Sequence, residues 1–281
     1  PSPFMAELRL RKSSSEIEQM KYASEVSSLA HELAMRHSRN GVNECQLQAI
    51  IEGFFSYAGA SGWAYPSIVG CGENATILHY TVNNEPCEDG EVILIDAGAE
   101  YRGYASDITR SWPISGTFTE SQKEIYSLVL KSQEAAIAAC KVGNPYTAPH
   151  DEARRVLAEG LIELGVISQT VDEALDPDKG ELRRWYMHNT SHWIGLDVHD
   201  VGIYKPGGSP RILEEGMCLT VEPGLYFGAW RPDVDCPKQY ANIGIRIEDD
   251  VLVTADGPVV LTQACPKTIE DIQSIVGNEL L

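Results

Sequence analysis

Two stretches of this 281-residue chain carry a carboxylate at the same point of one template. Glu88-Asp89-Gly90-Glu91-Val92-Ile93-Leu94-Ile95-Asp96-Ala97-Gly98 and Glu214-Glu215-Gly216-Met217-Cys218-Leu219-Thr220-Val221-Glu222-Pro223-Gly224 both read acid, acid, glycine, a mostly apolar strand, acid, one residue, glycine. A repeat in register suggests a duplicated half-domain whose strands present Asp96 and Glu222 toward a common centre. Converging carboxylates repel one another unless a cation lies between them, and a divalent metal is the usual answer. Two similar strand-to-turn corners with solvated acids are the plainer alternative.

Further acids and histidines sit close to this repeat. Asp107 follows Asp96 across a segment containing Gly98 and Gly103, and a regular hairpin over Glu91–Asp96 and Tyr104–Trp112 would make the two Asp side chains cross-strand neighbours. Like charges in that position destabilise a sheet, so the pair needs a metal, a shared proton or an arginine; Arg110 could pair with Asp107 instead. In the second half, Ile243, Ile245 and Ile247 alternate with Arg246 and Glu248. Period two places the isoleucines in one layer and Arg246 with Glu248 on the other face. Glu248 then matches Asp107 as Glu222 matches Asp96, unless Arg246 and Glu248 form a simple surface pair. His188, His192 and His199 cluster in one segment, and His79 precedes the first acid strand. Four carboxylates and a histidine form a hard, oxygen-rich set suited to Mn²⁺ or Fe²⁺.

The elements that must position these residues follow from pattern. Ser13-Ser14-Ser15-Glu16 is a capping box opening a helix to about Gly41 that buries Ile17, Met20, Val26, Leu29 and Leu33. A second helix covers about Asn43 to Tyr57. Strand-like segments follow at Ile77–Tyr80, Glu91–Asp96 and Tyr104–Trp112. Thr119 caps a helix to about Cys140 that buries Ile125, Leu128, Val129 and Ala136, and a fourth helix spans about Pro149 to Leu164. After a polar stretch at Ser168–Glu181, strands return through His199, Met217–Glu222 and Ile243–Val253, and a helix at Thr268–Val276 closes the chain. Helices then strands, twice, predict an α+β domain with the cleft between its halves. That domain covers residues 14–281, and residues 1–13, opening Pro1-Ser2-Pro3-Phe4, read as a linker or cut end.

Composition narrows the partners. The net charge of −19, from 41 acidic against 22 basic residues, disfavours nucleic acid and an anionic membrane surface. No apolar run approaches the roughly 18 residues of a membrane span, and no signal peptide is expected. Cys45, Cys71, Cys87, Cys140, Cys218, Cys236 and Cys265 are odd in number, widely spaced and without a CxxC, which reads as reduced thiols in a cytoplasmic protein.

The segments Leu78-His79-Tyr80, Leu94-Ile95-Asp96-Ala97-Gly98, Ser106-Asp107-Ile108-Thr109-Arg110, Ser191-His192-Trp193-Ile194-Gly195-Leu196-Asp197-Val198-His199-Asp200, Thr220-Val221-Glu222-Pro223-Gly224-Leu225-Tyr226 and Gly244-Ile245-Arg246-Ile247-Glu248-Asp249-Asp250 resemble the pita-bread metallopeptidases, and within them the Xaa-Pro aminopeptidase branch. The resemblance runs from about Ser14 to the end. It implies a pita-bread fold and two divalent ions, most often Mn²⁺ with Fe²⁺, Co²⁺ and Zn²⁺ as alternatives, that share a water. By position, Asp96 would bind one ion, His192 and Glu222 the other, and Asp107 and Glu248 both. Glu222 would also be the general base, His79 would meet the scissile nitrogen and His199 the carbonyl oxygen, and His188, Tyr226 and Arg246 would line the substrate site. The substrate implied is a peptide with proline second. A dipeptidase restricted to Xaa-Pro, or a metal-free binding protein on the same fold, are the rivals. The branch usually carries an N-terminal domain that contributes to assembly; its absence before Pro1 is expected here, and a homo-oligomer stays open. Asn189 stands where related sequences often have glycine.

Overall fold

The computed structural model describes residues 2–278; Pro1 and positions 279–281 of the expected linker and domain lie outside the described residues. Helices Ser14–His37 and Glu44–Tyr57 are both opened by capping boxes, at Ser13 with Glu16 and at Asn43 with Gln46. Ala23, Ala30 and Ala34 line the buried face of the first, whereas Leu29, expected inside, is 47% exposed because it falls on the opposite face. Helix Glu120–Ala139, capped by Thr119, buries Ile125, Leu128, Val129 and Ala136 as its spacing requires. Helix Ala148–Glu163 packs beside it, one turn of helix (Val171–Ala174) interrupts the polar stretch, and Ile269–Ile275 forms the last helix.

Two three-stranded antiparallel sheets carry the repeated motif. In the first, Val92–Asp96 lies between Ile68–Cys71 and Thr109–Pro113; in the second, Asp249–Thr254 lies between Cys218–Val221 and Gly257–Val260. Asp96 ends its strand and Glu222 follows directly on its own. A two-stranded ribbon, Gly224–Tyr226 with Gly244–Arg246, brings Arg246 between the sheets. Ile243, Ile245 and Ile247 are all buried in the main core with Ile93, Ile95, Val156 and Leu161, so the expected alternation holds and one core spans both halves.

Four expectations are corrected. Residues 3–10 are no linker but a helix capped by Ser2, with Pro3 in its first turn. Its Leu10 is fully buried beside Trp193 and Leu219, and Arg9 reaches Asp197 and Asp200. Ile77–Tyr80 is a turn after the 3₁₀ helix Gly72–Thr76, not a strand. Tyr104–Trp112 is two strands, Tyr104–Ala105 and Thr109–Pro113, and Asp107 lies in the break between them. Asp96 therefore pairs with Thr109 and is no cross-strand neighbour of Asp107.

Gly98 permits that break. A Cβ there would lie 1.8 Å from the carbonyl oxygen of Ser106, a backbone atom that cannot yield without moving Asp107. Gly98→Ala is expected to destabilise the fold by about 1–3 kcal/mol, the usual cost of overpacking. Gly53→Ala, in a helix with nothing within 4 Å, should stabilise by about 0.5–1 kcal/mol. Urea melts of the two variants check the contrast, and equal midpoints would refute it.

Candidate metal centre

The cleft between the halves is a pocket of about 520 Å³ whose lining includes Asp96, Asp107, His192, Glu222 and Glu248. Asp107, His192 and Glu248 offer ligand atoms that lie within 4.8 Å of one another, from the strand break, the loop after Asn189 and the residue before the Asp249 strand. His192 Nε2 lies 3.4 Å from Asp107 Oδ2 and 3.4 Å from Glu222 Oε1. His192 Nδ1 meets the carbonyl oxygen of Trp193 at 3.1 Å. A carbonyl only accepts, so Nδ1 carries the proton and the Nε2 lone pair of a neutral ring would face two carboxylates. Such an arrangement calls for a cation at Nε2, either a second proton or a metal. The hard oxygen donors around it fit a divalent ion.

Asp96 is held differently. Its Oδ2 accepts from Arg246 Nη2 at 2.7 Å and its Oδ1 from the Tyr65 hydroxyl at 2.6 Å, which also reaches Asp107 Oδ1 at 2.5 Å. Arg246 is thus partnered with Asp96, not with Glu248 in a surface pair. Arg110 is likewise not the partner of Asp107: it donates to Asp249 Oδ1 at 2.7 Å on the far side of the sheet.

Burial without enough positive charge shapes the titration of the pocket. Glu222 is lifted to about 7 by burial, against the pull of His192 and Arg246. Glu248 is pushed well above the usual carboxylate range by burial and then by Asp107, Glu222 and Asp96, and Asp107 is raised by burial and Asp96. Burial lowers His192, but its hydrogen bond to Asp107 and the charges of Glu222 and Asp107 outweigh that and carry it to about 9. These carboxylates compete for cations that the side chains do not supply.

The remaining histidines form a wall. Arg246 Nη1 donates to the Tyr226 hydroxyl at 3.0 Å, and that hydroxyl lies 2.8 Å from His188 Nε2. His188 Nδ1 is 2.8 Å from the Asn189 carbonyl oxygen. The carbonyl assigns the proton to Nδ1, so Tyr226 donates to Nε2 and His188 is neutral; burial, followed by Arg246, drives its pKa down to about 3. Asn189 is not among the positive-φ residues, so this loop does not demand glycine there. His199 is exposed at the rim, its ring 4.4 Å from that of His192, and is lowered by burial and by His192 and His79. His79 is exposed on the pocket wall.

Sequence reasoning missed Tyr65, Thr109 and Asp250. Thr109 Oγ1 donates to Glu248 Oε2 at 2.5 Å and accepts from Arg246 Nε at 3.0 Å. Asp250 Oδ2 accepts from the backbone N–H of Asp107 and the Ser106 hydroxyl, each at 3.0 Å. Thr109 and Asp250 lie beside motif acids; Tyr65 carries no signal of its own in the chain.

Two matched halves enclose a carboxylate-rich, histidine-bearing cleft, and residues 18–255 match the profile of metallopeptidase family M24, to which this chain belongs. It is 45% identical to Xaa-Pro aminopeptidase of Escherichia coli, over 98% of this chain and 61% of that protein. It is 38% identical to Xaa-Pro aminopeptidase 3 of Rattus norvegicus, over 96% of this chain and 52% of that protein. Aminopeptidase PepP of Pseudomonas aeruginosa superposes with a TM-score of 0.93 at 45% identity, covering 97% of this chain and 61% of that one. Escherichia coli aminopeptidase P with the inhibitor Pro-Leu gives 0.91 over the same share of this chain. The architecture is therefore the α+β pita-bread fold. The chain spans about 61% of the length of the first of these relatives.

The opposite fates of adjacent acids give a stability prediction. Burial would raise Asp249, but the charges of Arg110 and Lys267 outweigh it and hold the carboxyl at about 2. An unfolded Asp titrates near 3.9. Between those values the unfolded state binds more protons, so this contribution is complete above about pH 4 and is lost as pH falls toward about 2. Asp249→Asn should flatten the fall in unfolding free energy over that window while lowering stability at pH 7, as measured by urea titration; an unchanged slope would contradict the assignment.

Proposed function

We propose that this chain is the catalytic part of a metal-dependent aminopeptidase that releases the N-terminal residue from peptides with proline in second position. The observation that carries the reading is the convergence of Asp107, His192 and Glu248 on one point, with Glu222 3.4 Å from His192 and Asp96 tied to Asp107 through Tyr65. Asp96 would hold one ion, His192 and Glu222 the other, and Asp107 and Glu248 would serve both, with Mn²⁺ the first choice and Fe²⁺, Co²⁺ or Zn²⁺ the alternatives. Asp96 must then release Arg246, which keeps the Tyr226 hydroxyl and Thr109 as partners. Divalent ions held there would polarise a carbonyl and supply water as a nucleophile at neutral pH.

The chain's own groups do the remaining work. Glu222, lifted toward neutrality by burial, accepts a proton and returns it. His79 donates to or accepts from the scissile nitrogen, and His199 hydrogen-bonds the carbonyl oxygen at the rim. His188, Tyr226 and Arg246 form the substrate wall, with His188 kept neutral so that it adds no charge. The seven free cysteines support a reducing, cytoplasmic setting, and no described helix is long and apolar enough to cross a membrane.

Assay on Xaa-Pro and Xaa-Pro-Yaa peptides, with and without Mn²⁺, tests the reading. Metal-dependent cleavage of the longer peptides is expected; cleavage of dipeptides alone supports the dipeptidase, and cleavage of neither overturns the proposal. Elemental analysis should find two ions per chain, whereas one ion would leave Asp96 with Arg246. Asp107→Asn and Glu248→Gln should lose metal and activity, because an amide lacks the charge of a carboxylate. His79→Ala and His199→Ala should keep metal and lose on the order of 10²–10³ in kcat; lost metal would instead make either residue a ligand.

A further inference from the structure

His79 is the one pocket histidine whose ring makes no hydrogen bond or ring contact among the described residues. His188 is fixed by Tyr226 and Asn189, and His192 by Trp193 and the acids; His199 at least packs against His192. A free ring is placed only by its backbone, and His79 lies in a turn, not in a strand that a ladder would hold. Something else must set where that turn sits.

The structure supplies one candidate on the helix behind it. Glu44, in the first turn of helix Glu44–Tyr57, is fully buried, yet its carboxylate faces no cation among its bonding partners. Oε1 accepts from the Cys71 backbone N–H at 2.9 Å and from Asn74 Nδ2 at 3.0 Å. Oε2 accepts from the Tyr80 hydroxyl at 3.0 Å and from the Glu85 backbone N–H at 3.0 Å. The four donors come from both sides of His79, and Tyr80 is its immediate neighbour. The backbone of Glu44 closes the same ring by donating to the Glu85 carbonyl oxygen at 3.0 Å.

The other contacts of this stretch fix its start and its apolar side, not the exposed ring of His79. The 3₁₀ helix Gly72–Thr76 is pressed onto the ribbon that carries Arg246, where a Cβ on Gly244 would fall 2.0 Å from the Ala75 carbonyl oxygen. Beyond Thr76, Ile77 and His79 are exposed; Leu78 between them packs against Ile68, Ala75 and Tyr226, and the next side-chain hydrogen bond on the stretch is the one from Tyr80. An ionised carboxylate accepting four hydrogen bonds suits this task, because each charge-assisted bond is stronger than a neutral one. An amide could accept at one atom only and would set its NH₂ against two donors.

We propose that Glu44 is the positioning residue for His79, fixing the turn that presents the imidazole to the pocket. The inference rests on the proposed peptidase reading only for what His79 then does. Three proteins test it: Glu44→Gln, His79→Ala and the double variant, each measured for metal content, for Xaa-Pro-Yaa kinetics, and for the imidazole signals of histidine-labelled protein by NMR. Glu44→Gln should lower kcat by roughly 10–100-fold, the usual effect of a supporting residue, with metal content unchanged. In the His79→Ala background the same substitution should cost little further. The His79 signal, identified by its loss in His79→Ala, should shift or broaden in Glu44→Gln while that of His150, whose ring is held by Thr190, stays in place.

Multiplicative losses in the double variant, or an unmoved His79 signal, overturn the proposal. A shifted signal with full peptidase activity in His79→Ala upholds the clamp and removes His79 from the reaction, so the two readings fail separately. If Glu44→Gln does not fold, Tyr80→Phe removes a single donor next to His79 and should move the same signal.

Discussion

The constraint on which this structure turns is negative charge buried without enough positive charge beside it. Asp96, Asp107, Glu222 and Glu248 share one cleft, and Arg246 is the arginine that reaches into it. Removing charges from water costs several kcal/mol each unless partners compensate. The upward shifts of Asp107, Glu222 and Glu248 and of the His192 imidazole express the same deficit from both sides. Burying these acids together is a cost in stability that a bound divalent cation would offset.

Holding such a group together requires neutral donors that add no charge of their own. Tyr65 links Asp96 to Asp107 and Thr109 links Glu248 to Arg246, while Asp250 acts as an acceptor for the Asp107 backbone N–H. Tyr65 can do this because burial and the acids beside it push its hydroxyl well above its ordinary pKa, keeping the proton it donates. Behind this layer lies a second one that is electrically closed. Arg110 and Lys267 share Asp249, and Arg110 also donates to the Glu248 carbonyl oxygen at 2.5 Å. Glu248 and Asp249 are neighbours in sequence, yet one is raised and the other held at about 2. Alternation along an extended chain sends them to opposite faces, one toward the cleft and one toward the cations.

The local elements were legible in the chain. Ser13 and Thr119 cap the helices they were expected to cap, and Asn43, where the second helix was expected to begin, caps that one, because capping depends on residues three apart and on nothing distant. The isoleucines at 243, 245 and 247 lie inward for the same reason of short-range period. The repeated motif put Asp96 and Glu222 at matching strand ends. Where the reading failed, a distant contact decided. The helix Pro3–Leu10 lacks acids at its start and looked like a tail; Trp193, Asp197, Asp200 and Glu214 hold it in place. The break at Asp107 depends on the Gly98 approach to Ser106, which no periodicity records.

The chain by itself determined which residue types could meet: four acids, a cluster of histidines and an arginine, spaced on two copies of one strand motif. Tertiary structure alone decided how they pair. It gave Arg246 to Asp96 and Arg110 to Asp249, brought Tyr65 between two acids from outside any motif, and set Glu44 behind His79. The physical reason is range. Capping and alternation are settled within a few residues, whereas the partner of a buried charge is whichever group the packing of the two halves leaves within about 3 Å, and that distance is a property of the whole fold.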